Sequence, residues 1–370
     1  MVKSPEYFAF NITYRCQSHC STCNGWRTPY EVIEDELSTE DWKSILLEMQ
    51  KWIGNFDFIF SGGEPFIRSD IFEIADFAKE IGLTPKVITN GLGLKNKCEQ
   101  LIKSGFDDIT VSINSIKNPN IHNKSRGRKD AFKITFDVIQ NLIYLNKKYN
   151  SKKRLILATI IMPSNIKELP YLAEFAINNN IGINFQLMDG GISFFATRNL
   201  TEEWNKMFNE KKNEMLAVID KLKEYRRKTF LVYNTEEQLD EIKETLLNSA
   251  NIKPIQDENT EIQYDREGYD FSDSVSNNKI NWNNINNIEN TIIQNSKKYI
   301  LPNCCKIGYR NFRIDPYGNV KICFNMEDIG SVKTDLPQNI WNSELADKVR
   351  EKIMHCDKPC KLLNCNYDSD

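Results

Sequence analysis

The chain lacks long apolar segments. No stretch of about eighteen apolar residues, the length that crosses a bilayer as a helix, occurs in the sequence. The N-terminal residues MVKSPEYF also lack the apolar core of a secretory signal peptide. From these absences we expect a soluble protein in the cytoplasm.

A strong excess of either charge is also missing. Lys and Arg total 48 and Asp and Glu total 51, which gives a net charge of −3 with the histidines neutral. A protein that binds nucleic acid or an anionic membrane normally carries a clustered basic excess. We therefore expect neither nucleic acid nor a membrane among the partners.

The chain does have the length for a large core, and its cysteines are unevenly placed. Its 370 residues are 40% hydrophobic, which suits one barrel-sized domain with an appendage or two to three smaller domains. Of the ten cysteines, three lie at 16–23, six lie at 304–365, and Cys98 stands alone as an expected packing residue. Because the cytoplasm keeps thiols reduced, the two clusters indicate metal ligands before disulfides.

Short segments rich in Ile, Val and Phe alternate with amphipathic helical segments in the first half of the chain. The predicted strands are 6–12, 56–60, 86–89, 108–113, 154–161 and 182–188. Ser38 and Asp41 predict a capping box at the first helix; a second helix starts at Ser69 and ends at Gly82, and a third ends at Gly105. Six strand–helix repeats predict an α/β fold, a partial (β/α)6 barrel of the TIM type.

The pattern changes after Gly191. The sequence predicts a charged helix at 201–227, the apolar segment TFLVY at 229–233 and a helix at 235–249. The polar, Asn-rich segment 250–299 is predicted to be an insertion or linker with partial order.

A hairpin and a helix are predicted near the C-terminus. Asp-Pro-Tyr-Gly at 315–318 forms the hairpin turn, and the final helix covers 343–354. We therefore expect three regions: a barrel core at 1–195, a helical and partly irregular region at 196–300, and a C-terminal module at 301–370.

The segment TYRCQSHCSTCNGW contains Cys16, Cys20 and Cys23 in the spacing C-x3-C-x2-C. A structural zinc site needs four ligands, and the segment offers no nearby fourth cysteine. Three cysteines can instead hold three irons of a four-iron cluster and leave the fourth iron without a protein ligand. An open metal position is typical of catalytic sites, and the loop follows the first strand, at the mouth where barrel enzymes carry out their chemistry.

Two motifs occur in order in this part of the chain. C-x3-C-x2-C follows the first predicted strand, and SGGEPF at 61–66 follows the second. Over about residues 6–190 the chain therefore resembles the radical S-adenosylmethionine (SAM) superfamily. The resemblance implies a 4Fe-4S cluster on Cys16, Cys20 and Cys23 whose open iron binds SAM. It also implies reductive cleavage of SAM to methionine and a 5′-deoxyadenosyl radical, which abstracts a hydrogen from a C–H bond.

The GGEP motif, formed by Gly62, Gly63, Glu64 and Pro65, is predicted to bind SAM. The glycines let the backbone turn sharply and approach a ligand closely, and Glu64 with nearby carbonyls can accept charge-assisted hydrogen bonds from an ammonium group. A plain strand-to-helix turn is the alternative, because Gly and Pro mark turns in general.

Further SAM-binding residues follow from the order of the family's motifs. The resemblance implies SAM contacts for Asn90, Ser112, Asn114 and Arg126, with Arg126 meeting the carboxylate. Each of these residues could instead be a helix cap or an ordinary loop residue. Thr22 departs from the family, which usually has an aromatic residue before the third cysteine, so Trp26 becomes the candidate for the adenine contact.

The second cysteine cluster includes Cys323, which closes a G-x4-C pattern from Gly318 on the predicted hairpin. This arrangement resembles the SPASM and twitch modules, which hold auxiliary 4Fe-4S clusters. The full SPASM pattern has more than the six cysteines present here, so we predict one auxiliary cluster, closer to twitch. Its candidate ligands are Cys305, Cys323, Cys356, Cys360 and Cys365. A zinc site of four cysteines is the alternative.

Cys304 is left over from this ligand set. It is either a thiol that returns a hydrogen atom to a substrate radical, which makes it the candidate catalytic residue, or an inert neighbour of Cys305.

The predicted activity is hydrogen abstraction from a peptide or protein, ending in epimerisation, a crosslink or oxidation. Most relatives with such C-terminal modules modify peptides, and an auxiliary cluster can accept an electron or anchor the substrate. The first strand begins near residue 6, which leaves no room for an N-terminal leader-binding domain, so recognition could come from a separate protein. The resemblance also implies a flavodoxin- or ferredoxin-type electron donor.

Two other functions compete with this prediction. Twitch-like relatives oxidise aminocyclitols and sugars, so the chain could be a dehydrogenase or epimerase of a small molecule. A non-catalytic iron–sulfur or zinc-binding electron-transfer protein is the third hypothesis, and the open three-cysteine site together with GGEP argues against it.

Anaerobic reconstitution is predicted to load about eight irons and eight sulfides per chain, which corresponds to two four-iron clusters. Elemental analysis and a sulfide assay measure both quantities. Iron and sulfide well short of these values, or a colourless protein that takes up zinc, would contradict the two-cluster prediction.

Overall fold

The computed structural model describes residues 3–23, 25–27, 35–187, 200–249 and 305–356. Its strands are β1 (Tyr7–Thr13), β2 (Asp57–Gly62), β3 (Thr84–Thr89), β4 (Asp108–Ser112), β5 (Arg154–Ile161), β6 (Gly182–Leu187), β7 (Asn311–Ile314), β8 (Asn319–Lys321) and β9 (Gly330–Ser331). They form one nine-stranded sheet in the order β6-β5-β4-β3-β2-β1-β7-β8-β9. The six predicted strands are present with small shifts at their ends, and neighbours among them pair in parallel. The predicted α/β fold is therefore confirmed.

Helices connect the parallel strands, as a parallel sheet requires. The helices of the barrel region are α1 (Thr39–Ile53), α2 (Ile71–Glu80), α3 (Cys98–Lys103), α4 (Pro119–Arg126), α5 (Ala131–Lys148) and α6 (Leu169–Asn178). They are followed by α7 (Leu200–Lys228), α8 (Glu236–Ser249), α9 (Pro337–Trp341) and α10 (Glu344–Met354). The capping box of Ser38 and Asp41 is confirmed at the start of α1, and Cys98 is buried in α3 as predicted. In the described ranges no helix has both the length and the apolar character needed to cross a bilayer.

The main core lies between the sheet and these helices. Phe8, Phe10 and Ile12 of β1 alternate toward the helices, since successive strand residues point to opposite faces. The Phe10 ring lies 5.9 Å from the Trp42 ring of α1 and 5.2 Å from the Phe58 ring of β2. This aromatic layer makes the helix-covered face of the sheet dry and rigid.

The opposite face of the sheet is much less buried in its upper part. Ser61, Thr110, Ser112, Asn184 and Gln186 are all half-buried, while their neighbours on the helix side are mostly fully buried. The register places Ser112 beside Ala158 and Ala158 beside Asn184, so these side chains form a row across three strands. Closed TIM barrels fill this space with layers of large side chains. At these positions the described part of the chain has small and polar residues instead.

The lower end of the same face is closed by ion pairs. Lys86 pairs with Asp57 at 2.7 Å, and Arg154 contacts Asp108 through two hydrogen bonds. Charged pairs at the start of the strands separate the half-buried face from solvent below, so the open side lies toward the strands' C-terminal ends.

The sheet continues into the C-terminal module and does not close as a barrel within the described residues. β7 pairs in parallel with β1, with Phe312 opposite Phe8, and β7–β8 is the predicted hairpin. The far edge, at β6, is covered by a single bridge from Ile183 to Val232, which lies in the predicted TFLVY segment. The predicted division into 1–195, 196–300 and 301–370 stays a prediction, and the segment 250–299 lies outside the described residues.

Phe312 ties the C-terminal module to the barrel. Its buried ring lies 5.9 Å from Trp52 of α1 and 6.1 Å from Trp341 of α9. The Trp341 indole N–H also donates to the Lys3 carbonyl at 3.0 Å. The aromatic contacts and the β1–β7 pairing make the module part of the same core.

Phe312→Ala is predicted to lower the free energy of unfolding by about 3–5 kcal/mol, because it opens a cavity in that shared core. Urea unfolding followed by far-ultraviolet circular dichroism measures the change. Phe230→Ala is the matched control, since Phe230 is 83% exposed and should change stability by less than about 0.5 kcal/mol. Equal effects of the two substitutions would contradict the shared core.

Candidate functional site

The cysteine loop after β1 is held by backbone hydrogen bonds on two sides. On one side the Gly63 and Glu64 N–H groups donate to the Thr13 and Arg15 carbonyls at 2.7 and 2.8 Å. On the other side the His19 and Ser21 N–H groups donate to the carbonyls of Arg126 and Ser125, at 3.1 and 3.0 Å. The loop is therefore clamped between the GGEP motif and the C-terminal end of α4.

Glycine is required at both contact points of this clamp. A Cβ on Gly63 would lie 2.1 Å from the Arg15 carbonyl oxygen, and one on Gly127 would lie 2.3 Å from the His19 oxygen. Gly62 has a φ of +119° and equally little room beside Thr13. The glycines thus allow close approach of the cysteine loop itself, while the predicted approach to SAM stays a prediction.

Glu64 lies at the centre of the site and is fully buried. Its carboxylate accepts hydrogen bonds from the Thr89 hydroxyl at 2.6 Å, the Asn90 N–H at 2.7 Å and the Phe66 N–H at 3.3 Å. Burial raises the pKa of Glu64, and these donors partly oppose the shift. Glu64 therefore joins the ends of β2 and β3, and Pro65 begins the short 3-10 helix that follows it.

Each of the three cysteine sulfurs has an N–H donor beside it. The Ser18 N–H donates to Cys16 Sγ at 3.4 Å, the Gly25 N–H to Cys23 Sγ at 3.3 Å, and Arg126 Nη1 to Cys20 Sγ at 3.7 Å. Burial raises the pKa of Cys16 to about 12 and of Cys23 to about 11. Thiols so perturbed stay protonated without metal, so iron must displace their protons on binding.

Asn90 connects the cysteine loop to the GGEP motif. Its Nδ2 lies 3.7 Å from Cys16 Sγ and 3.4 Å from the Ser18 hydroxyl, while its own N–H is bound to Glu64. Its Oδ1 accepts from the Leu92 N–H at 2.8 Å, which fixes the direction of the amide. The structure thus places Asn90 against a sulfur ligand, and the predicted SAM contact stays a prediction.

Arg126 and His122 lie one turn apart on α4 and face the site. Among the described residues, the Arg126 Nε and the His122 Nε2 are buried without a hydrogen-bond partner. The His122 Nδ1 accepts from the Asn114 N–H at 3.1 Å, so the ring proton is assigned to Nε2. Burial, aided by nearby Arg126, lowers the pKa of His122 to about 2 and keeps the ring neutral.

The other two predicted SAM contacts differ in their surroundings. The Asn114 side chain is buried and donates to the Ser125 hydroxyl at 2.9 Å, so it fixes α4 behind the cysteine loop. Ser112 is half-buried on the open face of the sheet at the end of β4. Of the two, Ser112 lies on the open face, and the predicted SAM contacts of both residues stay predictions.

Trp26, the candidate for the adenine contact, packs against the cysteine loop. Its ring lies 4.8 Å from the His19 ring, and its indole N–H donates to the Cys20 carbonyl at 3.3 Å. Thr22 is half-buried in the same loop. The predicted substitution of Trp26 for the missing aromatic residue stays a prediction.

The residues on the cysteine loop fit an iron–sulfur cluster in their chemistry. In the part of the chain that the structure describes, no three His, Cys, Asp or Glu side chains are arranged to hold one metal ion. A four-iron cluster holds its cysteine sulfurs further apart than one ion does. Three thiols on one clamped loop, each beside an N–H donor, match the ligand set and the sulfur hydrogen bonds of such clusters.

The C-terminal module brings three of the predicted auxiliary ligands onto neighbouring elements. Cys305 precedes the 3-10 helix Lys306–Tyr309, Cys356 follows α10, and the Arg350 side chain of α10 donates to the Gly308 carbonyl at 3.1 Å. Cys323 is buried just after β8, with its sulfur accepting from the Asn325 N–H at 3.4 Å. Cys304, Cys360 and Cys365 lie outside the described residues.

Two acidic residues that support the site, Glu36 and Glu168, were not predicted from the sequence. Glu36 accepts from the Thr13 hydroxyl at 2.7 Å and from Arg15 at 3.2 Å, and so anchors the start of the cysteine loop. Glu168 accepts from the Ser115 hydroxyl at 2.8 Å and from the Lys117 N–H at 2.8 Å, which holds the loop after β4. An acidic residue just before a predicted helix is a weak signal, and only the tertiary fold shows its partner.

Two family models match the chain. Residues 10–176 match the radical SAM superfamily, and residues 304–366 match an iron–sulfur cluster-binding domain of the SPASM type. The AdoMet-dependent heme synthase of Methanosarcina barkeri (strain Fusaro) is 35% identical over 143 residues, which is 38% of this chain and 40% of that protein. The matched segment thus spans well under half of the curated relative.

Solved structures share the fold at low identity. Streptococcus suis SuiB aligns with a TM-score of 0.56 and 14% identity over 94% of this chain and 68% of SuiB. The peptide complex of anSMEcpe with AdoMet and Cp18Cys aligns with a TM-score of 0.55 and 13% identity, over 98% of this chain and 88% of that chain. Such identities establish a common fold and leave the substrate open.

Gly63→Ala is predicted to prevent loading of the cluster on the cysteine loop, because the new Cβ would push the loop away at Arg15. Iron after anaerobic reconstitution should fall from about eight to about four per chain, with the auxiliary cluster retained. Gly308→Ala is the control, since its Cβ would meet Ile353 at an ordinary 3.5 Å. Full iron loading in Gly63→Ala would contradict the clamp.

Asn90→Asp is predicted to lower the reduction potential of the same cluster, because a carboxylate replaces the N–H donor beside Cys16 and disfavours the more negative reduced state. We expect a shift of at least about 59 mV, tenfold in a one-electron equilibrium. Redox titration followed by electron paramagnetic resonance (EPR) measures it. Asn120→Asp, on the exposed start of α4, adds the same charge as a control; equal potentials in both variants would exclude the contact with Cys16.

Proposed function

We propose that this chain, a member of the radical SAM superfamily with a C-terminal auxiliary iron–sulfur domain, abstracts a hydrogen atom from a carbon of a peptide or protein substrate. The observation that carries the proposal is the position of the three-cysteine loop at the mouth of a parallel sheet whose inner face is half-exposed. A reactive group formed at the loop would meet a substrate lying on that face.

The residues of the chain have separate tasks in this proposal. Cys16, Cys20 and Cys23 would hold the cluster, and the bound cluster with SAM would supply the 5′-deoxyadenosyl radical. Asn90 and Arg126 keep N–H donors against the ligand sulfurs, and Ser112 faces the open side of β4. The clamp at Gly63 fixes the position of the cysteine loop relative to the GGEP motif, as a defined reaction geometry requires.

A peptide suits the chemistry of the inner face. Its half-buried side chains include neutral amides and hydroxyls, such as Asn184, Gln186 and Thr110, which can pair with peptide N–H and C=O groups. The nearest charged groups on that face, including Lys86 and Asp108, are paired with each other at its lower end. SuiB bound to precursor peptide SuiA and anSMEcpe bound to the Cp18Cys peptide have the same fold with peptide substrates.

The auxiliary domain extends the proposal to an oxidation. Hydrogen abstraction removes one electron and one proton from the substrate carbon, so a stable oxidised product requires the loss of a second electron and a second proton. Cys305, Cys323 and Cys356, with Cys360 or Cys365, would hold a cluster able to take that electron. A flavodoxin- or ferredoxin-type donor would supply the electron that SAM cleavage consumes.

The substrate class is testable by deuterium transfer. Native host cells are grown in D2O, and their extract is divided into a peptide and protein fraction and a low-molecular-weight fraction free of peptides. Each fraction is incubated with reduced enzyme and SAM, and deuterium in 5′-deoxyadenosine is measured by mass spectrometry. The Cys16→Ala, Cys20→Ala, Cys23→Ala variant is the matched control and should give no 5′-deoxyadenosine.

We expect deuterium transfer from the peptide and protein fraction alone, and its loss after digestion of that fraction to amino acids. Transfer from the low-molecular-weight fraction would indicate a small-molecule substrate such as an aminocyclitol or sugar and would overturn the peptide proposal. Enzyme that forms no 5′-deoxyadenosine with either fraction or alone would overturn the proposed activity altogether.

A further inference from the structure

Two side chains on β7 are buried without the partners that their chemistry requires. Asn311 is fully buried, and both its Nδ2 and its Oδ1 lack a hydrogen-bond partner among the described residues. Arg313, two residues further on the same strand, is 7% exposed, and its Nε also lacks a partner there. Buried polar groups are nearly always hydrogen-bonded, and buried charges are nearly always paired. A missing group of complementary chemistry is therefore indicated.

Among the described residues the Arg313 guanidinium stacks on aromatic rings and its Nε has no hydrogen-bond partner. Its central carbon lies 4.1 Å from the Phe324 ring and 5.4 Å from the Tyr7 ring. The cation beside it on the same face, Lys321, is already paired with Asp328 at 2.7 Å. Ring faces stabilise a guanidinium but accept none of its N–H groups in the way that an anion does.

The hairpin register relates both side chains to a predicted cluster ligand. Arg313 is opposite Lys321 in the antiparallel β7–β8 pair. Cys323 lies two residues beyond Lys321, just past the end of β8, in the chain direction that leads toward Asn311. Phe324, on which Arg313 stacks, directly follows Cys323. The hairpin pairing and the Phe324 contact therefore bring the two unsatisfied side chains near the cysteine that the auxiliary cluster is expected to use.

We propose that Asn311 and Arg313 line the auxiliary cluster and raise its reduction potential. Reduction adds one negative charge to the cluster, and a nearby guanidinium and amide N–H stabilise the reduced form more than the oxidised form. The residues are positioning residues that tune the cluster through the protein around it. This inference rests on the proposed function in one respect: a raised potential matters because the cluster accepts an electron from the substrate radical.

The test is an EPR-monitored redox titration of the auxiliary cluster alone. The full chain carries Cys16→Ala, Cys20→Ala and Cys23→Ala, so that the other cluster is absent, and no SAM or substrate is added. The variants compared in this background are Arg313→Met, Arg313→Lys and Asn311→Asp. Arg227→Met is the matched control, because Arg227 is half-exposed on α7 and paired with Glu236 at 2.6 Å.

We expect Arg313→Met to lower the reduction potential of the auxiliary cluster by about 59 mV, which corresponds to a tenfold change in the one-electron equilibrium. Arg313→Lys should retain most of the parental potential because it keeps the charge, and Arg227→Met should match the parent. Asn311→Asp should lower the potential, since it places a carboxylate where the amide N–H lay.

Arg313→Met with full auxiliary iron and the parental potential would overturn the inference, as would an equal shift in Arg227→Met. If Arg313→Met loses its auxiliary iron, the other two variants decide the outcome. A lowered reduction potential in Asn311→Asp supports the inference. Parental potentials in both Arg313→Lys and Asn311→Asp overturn it. If the partner of Asn311 and Arg313 is not the cluster but a substrate carboxylate or a buried water, the variants should have the same reduction potential as the parent. Because no substrate is present, failure of the peptide proposal would leave this result unaffected.

Discussion

The site depends on the backbone hydrogen bonds that hold the cysteine loop between the GGEP motif and the end of α4. Four N–H groups, those of Gly63, Glu64, His19 and Ser21, fix a loop that has no regular structure of its own. Because an irregular loop buries few apolar side chains, its position must come from such bonds and from glycines that permit close contact. The hydrogen bonds of this clamp determine how the three sulfurs are arranged. They therefore also determine where a cluster held by these sulfurs would leave one iron open to a ligand.

Next to the clamped cysteine loop, the inner face of the sheet is less buried than the helix-covered face. Its helix side is filled with aromatic rings such as Phe10 and Phe58, while Ser61 and Ser112 on the inner side stay half-exposed. β7 pairs with the edge of β1, where β6 would pair in a closed barrel, and so joins the C-terminal module to the sheet. One continuous sheet thus carries both predicted cluster sites.

Local patterns in the sequence were enough for the parallel sheet and for the motifs. Apolar periodicity located β1 to β6, and Ser38 with Asp41 located the start of α1, because both signals act within a few residues. The C-x3-C-x2-C spacing and GGEP placed the site for the same reason. The partners of Asn90 and Glu64 could not be predicted, since the contacts with Cys16 and Thr89 join residues far apart in sequence. The β1–β7 pairing and the Arg313 Nε that finds no partner among the described residues likewise exist only after folding.

The most direct test of the open iron is the EPR spectrum of the reduced cluster on the cysteine loop, recorded with and without SAM. The Cys305→Ala, Cys323→Ala, Cys356→Ala variant removes the auxiliary signal from the comparison. Binding of SAM to an iron without a protein ligand predicts a changed spectrum, because the coordination of that iron changes. An identical spectrum at high SAM concentration would mean that SAM does not coordinate the cluster, and would contradict this account of the site.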